Sequence, residues 1–140
     1  PLTKLELYDT VMAVRGDGST VKRIGIVLDD CIVGANISPN LLRFNANRDY
    51  ITPFFLFYFL TSNAGQTRLD RHVNKTAKKN ITAKDIKTVT IPVPPIELQN
   101  QFDRRIIMIE HQKQLLKESL VEIETIYKAS IQKAFKGELF

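Results

Sequence analysis

The chain has 140 residues, of which 44% are hydrophobic and 25% charged, and its net charge is +5. These values fit one folded domain, or a small domain with an appendage, and they exclude a disordered or collagen-like chain. With a single cysteine, Cys31, and two histidines, the sequence excludes a disulfide framework and a structural zinc site.

Residues 1–94 alternate strand signals with helix signals. Runs of β-branched and apolar residues predict strands at 10–14, 24–28, 41–44 and 88–91. Together with the helices described next, they predict an α+β fold class, with a small mixed globular domain.

An apolar run predicts a helix in the middle of this domain. Thr52 suits the N-cap, Pro53 suits the first helical position, and residues 54–60 are apolar on every side. Aromatic runs can also form base-stacking platforms, but those alternate with polar residues, so core packing is the better interpretation. The run is far shorter than the roughly 20 residues that cross a bilayer, and no basic and apolar leader precedes it, so we expect a soluble, intracellular protein.

Positive charge is concentrated in residues 68–87, which hold seven Lys and Arg against two Asp and account for the whole net charge. Within this basic segment, Thr82 and Asp85 predict a capping box that starts a short helix. A concentrated basic segment is typical of proteins that bind the phosphate backbone of nucleic acids. The alternative is an ordinary solvated basic face.

Three prolines, Pro92, Pro94 and Pro95, stand close together after the basic segment. Prolines cannot occupy a helix interior or a central strand, and they favour extended geometry in the preceding residue. We therefore predict a rigid joint between a globular domain, residues 1–94, and a long helix within residues 95–140.

Beyond the joint, apolar residues recur at spacings of three and four, the heptad period of a coiled coil. The predicted helix covers residues 96–135, with Gly137 as its C-terminal stop. It needs a partner helix from a second copy or from a portion absent here. Lys113 either fixes the register of that pairing or extends its ammonium outward. The seam consists of Phe102, Ile106, Ile109, Lys113, Leu116, Leu120, Ile123 and Tyr127.

No catalytic constellation is visible in the sequence. It lacks the nucleophile elbow, the phosphate-binding loop and the dinucleotide fingerprint, and residues 93–96 lack the acidic or amide and aromatic residues that DNA amino-methyltransferases place around their prolines. His72 and His111 lie in separate elements and are interpreted as ordinary polar residues. We expect no catalytic residues and no metal site.

The order and spacing of several segments resemble the specificity subunit of type I restriction-modification systems. The segments with the strongest resemblance are 75–81, 85–87, 91–96 with Gln99, and the helix end at 132–139. Upstream, residues similar to that family's target recognition domain are 24–27, 36–44 and 51–60. Leu98 departs from the Glu usual there, and the family's domain normally has more sequence before this point. The chain therefore resembles a half-subunit, or a C-terminal half with an incomplete start.

The resemblance implies a non-catalytic subunit whose recognition domain reads a half-site in double-stranded DNA. It implies a helix that packs antiparallel with its twin and sets the distance between half-sites. The implied partners are methyltransferase subunits, which carry S-adenosylmethionine, and through them restriction subunits, in a prokaryotic cytoplasm. This chain would hold no cofactor. Two recognition domains would come together either in a homodimer or by pairing with the other half of a full subunit. A homodimer would read a palindromic sequence.

Candidate DNA contacts divide by chemistry. Phosphates are expected to bind Arg68, Arg71, Lys75, Lys78, Lys79 and Lys84. Base edges need paired hydrogen bonds, and the candidates in or beside turns are Arg15, Lys22, Arg23, Asn74 and Asn80. For each residue the alternative is an exposed loop side chain. A second hypothesis is a coiled-coil protein-interaction adaptor that reads no DNA.

Overall fold

A computed structural model of the protein describes residues 4–16, 22–73 and 79–137. The chain divides into two units, Pro1–Asp103 and Arg104–Phe140. The first unit contains every described strand and the short helices. A long helix, α4 (Ile96–Lys136), starts in it. This combination confirms the predicted α+β fold class.

A three-stranded antiparallel sheet forms the centre of the first unit. In spatial order its strands are β3 (Ile24–Ile26), β1 (Thr10–Ala13) and β4 (Leu41–Phe44). Thr10 of β1 pairs with Ile26 on one side and with Phe44 on the other. All three strands were predicted from their apolar and β-branched residues.

Three further elements are short. β2 (Arg15–Gly16) pairs antiparallel with β5 (Lys79–Asn80), and a 3₁₀-helix covers Asp30–Ile32. The Asp29 side chain caps this turn by accepting a hydrogen bond of 2.9 Å from the Cys31 amide. That bond lowers the pKa of Asp29.

The predicted strand at residues 88–91 is wrong. The amides of Thr88 and Val89 donate back to Asp85 and Ile86. These groups close the turn after α3 (Ala83–Ile86), so they cannot pair with another strand. Local β propensity is overruled here by the end of a helix.

Helix α1 (Pro53–Thr61) begins as predicted, because the Thr52 hydroxyl accepts a hydrogen bond from the Phe55 amide. Leu56 and Leu60 are its buried residues. The aromatic side chains around them are half-buried. The predicted core packing therefore applies to the face of α1 that carries the two leucines, and the aromatic side chains lie nearer the surface.

Helix α2 (Asn63–Asp70) was not predicted. Ser62 ends α1 and also caps α2, because its hydroxyl donates to the Phe59 carbonyl and accepts from the Gly65 amide. A Cβ at Gly65 would lie 2.1 Å from the Phe59 carbonyl oxygen, so this close approach of the two helices requires glycine.

The core joins the sheet to the short helices. Met12 of β1 has no exposed surface and lies at the sheet centre. The other buried members of this cluster are Leu56, Leu60, Leu69, Ile81 and Ile86. Burial of this apolar surface is the main force that holds α1, α2 and α3 on the sheet.

Helix α4 (Ile96–Lys136) follows the prolines and ends before Gly137, whose φ of 73° suits a glycine C-cap. Both ends agree with the sequence prediction within one residue. Its first two turns belong to the first unit, which extends to Asp103.

Gln99 fixes these two turns within the first unit. Its side chain has no exposed surface, and its Oε1 accepts a hydrogen bond of 2.9 Å from the Thr52 amide. Its Nε2 donates to the carbonyls of Tyr50 and Pro94, at 2.9 and 2.7 Å. One amide side chain therefore satisfies three backbone groups from two segments of the chain.

A second contact between α1 and α4 supports the first. The Thr52 hydroxyl donates to Asp103 Oδ1 at 3.0 Å. Burial raises the pKa of the Asp103 carboxyl, and the bond from Thr52 opposes that change. The Phe102 ring packs edge-on against Phe55 and Tyr58, with ring centroids 5.9 and 5.8 Å apart.

Replacing Gln99 with Leu tests this network. The variant leaves the buried Thr52 amide and two part-buried carbonyls without their Gln99 partner, so we expect the free energy of unfolding to fall by about 3 kcal/mol. The matched control is Gln101→Leu, an exposed position two residues further along α4, which should change it by less than about 0.5 kcal/mol. Equal urea midpoints for both variants would contradict the role of Gln99.

Candidate nucleic-acid interface

The ladder between β2 and β5 brings two candidate DNA-contact residues together. Arg15 is the cross-strand partner of Asn80, and Gly16 is the partner of Lys79. The Ile81 amide donates to the Val14 carbonyl at 3.0 Å and extends this pairing toward the core. Arg15 is exposed and Asn80 is half-buried, so a long cation and an amide lie side by side at one surface.

Lys22 and Arg23 lie at the base of the hairpin that leads into β3. The Lys22 amide donates to the Ala13 carbonyl at 2.8 Å, and the Ala13 amide donates to the Arg23 carbonyl at 2.9 Å. The Lys22 ammonium forms an ion pair with Asp70 at the end of α2. This pair joins the hairpin to α2, and Arg71, the exposed residue after Asp70, therefore lies near the same surface.

Arg68 has partners within the fold. Its Nη1 donates to the Thr90 carbonyl at 2.6 Å, and its guanidinium lies 5.8 Å from the centre of the Phe59 ring. These contacts hold the segment after α3 against α1 and α2. The expected phosphate contact of Arg68 stays a prediction, and it would compete with these contacts.

Lys84 is exposed on α3, whose capping box was predicted from Thr82 and Asp85. The Asp85 carboxylate accepts hydrogen bonds from the hydroxyl and amide of Thr82, at 2.6 and 3.1 Å, and these bonds lower the pKa of Asp85. The nearby charge of Lys84 lowers the pKa of Asp85 further, by less than these bonds do.

Three candidates, Asn74, Lys75 and Lys78, lie outside the described residues. For Lys79 the structure gives the backbone pairing with Gly16. The described residues that flank residues 74–78 are Val73, which follows α2, and Lys79, which starts β5. Val73 lies two residues after Arg71, and Lys79 belongs to the strand that carries Asn80 and pairs with β2.

One charged cluster was not found by sequence reasoning. Arg43 of β4 is 10% exposed, and its Nε lies 2.6 Å from the carboxylate of Asp9, which is itself buried. Glu6 and the Lys4 carbonyl are its other partners. Burial opposes the charge, but the bonds to Asp9 and Glu6 raise the pKa of Arg43. The spacing of these residues in the sequence does not indicate that they meet. The partners of Arg43 named here all belong to the first unit.

An apolar cavity of about 450 Å³ opens between β4, α1 and α3. Leu42, Phe44, Leu56 and Ile86 form much of its wall, and Asn45 and Lys87 also line it. The described lining contains no carboxylate, thiol or imidazole. This cavity can accept apolar groups.

The predicted helix seam is mostly exposed beyond the first unit. Leu116, Ile123 and Tyr127 keep more than 60% of their surface accessible, at 68%, 63% and 64%. Ile109 and Leu120 are also exposed, and Ile106 is half-buried. Phe102, the first seam residue, instead packs inside the first unit, and Lys113 pairs with Glu110 at 2.7 Å.

Residues 4–16, 22–73 and 79–137 contain no helix that is long and apolar enough to cross a membrane. The same residues hold no group of three or more His, Cys, Asp or Glu side chains arranged to bind a metal ion.

Residues 31–125 match the sequence family of type I restriction modification DNA specificity domains. The chain belongs to this family. The match includes β4, α1, α2, α3 and most of α4. The basic segment, residues 68–87, and α4 as far as residue 125 therefore both lie within the part of the chain that matches this family.

Two relatives from Escherichia coli extend the comparison. The chain is 28% identical to the type I restriction enzyme EcoBI specificity subunit over an alignment of 141 positions, which covers 98% of this chain and 29% of that subunit. It is 22% identical to the EcoKI specificity subunit of strain K12 over an alignment of 103 positions, which covers 71% of this chain and 22% of that subunit. This specificity domain thus spans less than a third of either relative.

Proposed function

We propose that this chain is the part of a type I specificity subunit that reads one half-site in double-stranded DNA. The observations that support the proposal are the pairing of β2 with β5 and the ion pair of Lys22 with Asp70, which join parts of the chain that hold candidate DNA contacts. Family membership supports DNA as the partner.

The exposed cations would hold phosphates. Arg15, Arg71 and Lys84 present long basic side chains on the described elements, and neutralising phosphates with such side chains releases counterions. Asn80 beside Arg15 supplies an amide that can donate and accept at a base edge. Phosphate contacts would position the domain, and base contacts would select the sequence.

The exposed part of α4 would act as a spacer. An apolar seam of this length needs a partner helix, and the proposed partner is the same helix of a second copy, or a similar helix elsewhere in a longer subunit, packed antiparallel. Two readers joined in this way would bind two half-sites at a fixed distance. Methyltransferase subunits carrying S-adenosylmethionine, with restriction subunits beyond them, would dock on this assembly in the cytoplasm and supply the chemistry.

Salt dependence tests the proposed DNA contacts. Replacing Arg15, Arg71 and Lys84 together with Ala should weaken binding to a random-sequence duplex and reduce the slope of log K against log salt by about three, because each phosphate contact contributes about 0.9. Fluorescence anisotropy between 50 and 200 mM salt measures this slope.

The matched control for this triple change removes three exposed lysines of α4, Lys117, Lys128 and Lys133. It changes the net charge equally and should leave the slope nearly unchanged. If both triple variants behave alike, or if the unaltered chain binds no duplex, the DNA-reading proposal is wrong and an adaptor role is favoured.

Sedimentation tests the proposed pairing of α4. We expect the chain to be a dimer at micromolar concentration, and the seam variant Leu116→Glu with Ile123→Glu to be a monomer, because a charge in the seam opposes helix pairing. The control variant Leu115→Glu with Val121→Glu alters exposed apolar residues outside the seam and should stay dimeric. A monomeric unaltered chain, or equal dissociation of both variants, would contradict pairing through this seam.

A further inference from the structure

Asp70 is an acidic residue inside the basic segment, and the fold of α2 does not explain it. It is the last residue of α2, where the helix dipole is negative and a carboxylate is unfavourable. Asp85, the other acid of the segment, has a structural role in the capping box of α3. The contact that Asp70 makes is the ion pair with Lys22, 48 residues away along the chain.

Lys22 is held in place at both its backbone and its side chain. Its φ is 69°, in the left-handed region that non-glycine residues rarely adopt. Its amide donates to Ala13, which fixes the base of the hairpin. The Lys22 side chain is 17% exposed and the Asp70 side chain is 59% exposed, and the carboxylate is in direct contact with the ammonium.

The ion pair lies among the residues to which the proposed function assigns DNA contacts. Lys22 precedes Arg23 and belongs to the chain segment that continues from Arg15, and Asp70 precedes Arg71. A carboxylate at this position repels phosphates and also withholds one ammonium from them. Both effects lower binding that does not depend on sequence.

We propose that Asp70 is a positioning residue that increases sequence discrimination by acting through Lys22. It fixes the Lys22 ammonium and the base of the hairpin beside Arg15, and it prevents Lys22 from binding phosphate backbone of any sequence. A fixed hairpin base holds the nearby base-contacting side chains in one arrangement, which favours the duplex whose base edges match it, whereas a phosphate contact contributes equally to every sequence. This inference rests on the proposed DNA-reading function.

The experiment uses the whole chain and two duplexes of 40 base pairs. One has a random sequence, and the other is the sequence that the unaltered chain enriches most from a random duplex library. Anisotropy titrations from 50 to 200 mM salt give the affinity for each duplex, the salt slope and the ratio of the two affinities.

For Asp70→Asn we expect tighter binding to the random duplex and a slope steeper by about 0.9, because the released Lys22 gains a phosphate contact. The loss of affinity between 50 and 200 mM salt should then be about three to four times greater than for the unaltered chain. The preference for the enriched duplex should also fall, because the base of the hairpin is no longer fixed. The gained phosphate contact strengthens binding to both duplexes and cancels in the ratio of their affinities.

Three further variants separate positioning from folding and from net charge. Adding Lys22→Ala to Asp70→Asn should return the slope to that of the unaltered chain, and Asp70→Glu, which keeps the carboxylate, should preserve discrimination. Asp49→Asn removes an exposed acid outside the basic segment and should change neither slope nor preference. Thermal unfolding should be nearly the same for all four, because surface ion pairs contribute little to stability.

The possible failures are distinguishable. If the unaltered chain binds duplex with a clear salt slope but Asp70→Asn behaves like Asp49→Asn, the role of Asp70 is overturned and the proposed function stands. A variant that weakens binding to both duplexes equally also overturns it, because that result indicates a structural role. If the unaltered chain binds neither duplex, the proposed function fails and this inference fails with it.

Discussion

The first unit depends on the three hydrogen bonds of the Gln99 side chain. These bonds join Gln99 to the buried Thr52 amide and to the part-buried carbonyls of Tyr50 and Pro94, all of which lie outside any sheet. A buried backbone group without a partner is costly. Because Gln99 satisfies all of them, the start of α1 and the proline segment share one anchor with the first turns of α4. The core packing of Phe102 against Phe55 then follows from this anchor.

Charge is arranged differently in the two parts of the molecule. In the first unit, Arg43 and Arg68 are used in internal contacts, while Arg15, Arg71 and Lys84 stay exposed. The exposed part of α4 instead combines apolar side chains with charges of both signs. A surface with excess positive charge suits a polyanion, and a mixed surface with an apolar seam suits another helix. These properties agree with a family defined by DNA specificity.

Local signals in the sequence predicted much of this fold. Thr52 with Pro53 and Thr82 with Asp85 mark the starts of α1 and α3 through capping, which needs only neighbouring residues. The heptad period predicted α4, and it too depends only on residues that are close together in the sequence. Helix α2 was missed because its first turn, with Asn63 and Gly65, resembles a loop, and because the close packing on Phe59 that requires Gly65 is a tertiary contact.

Contacts between distant residues could not be predicted from one sequence. The Lys22 and Asp70 pair, the Arg43 and Asp9 pair and the bonds from Gln99 to Thr52 and Tyr50 join residues that are separated by between 34 and 49 positions. Of these, Lys22 was selected as a DNA contact from its position near a turn, and the structure adds the acid that holds it. Resemblance singled out Gln99 by its place after the prolines, without indicating what it binds.

The most direct measurement replaces the matching stretch of the EcoBI specificity subunit with this chain and maps the methylated bases in DNA treated with the assembled complex. We expect a methylation motif that differs from that of the unaltered EcoBI complex in one half-site and keeps the other. An active hybrid complex with an unchanged motif would contradict the claim that this chain reads DNA sequence.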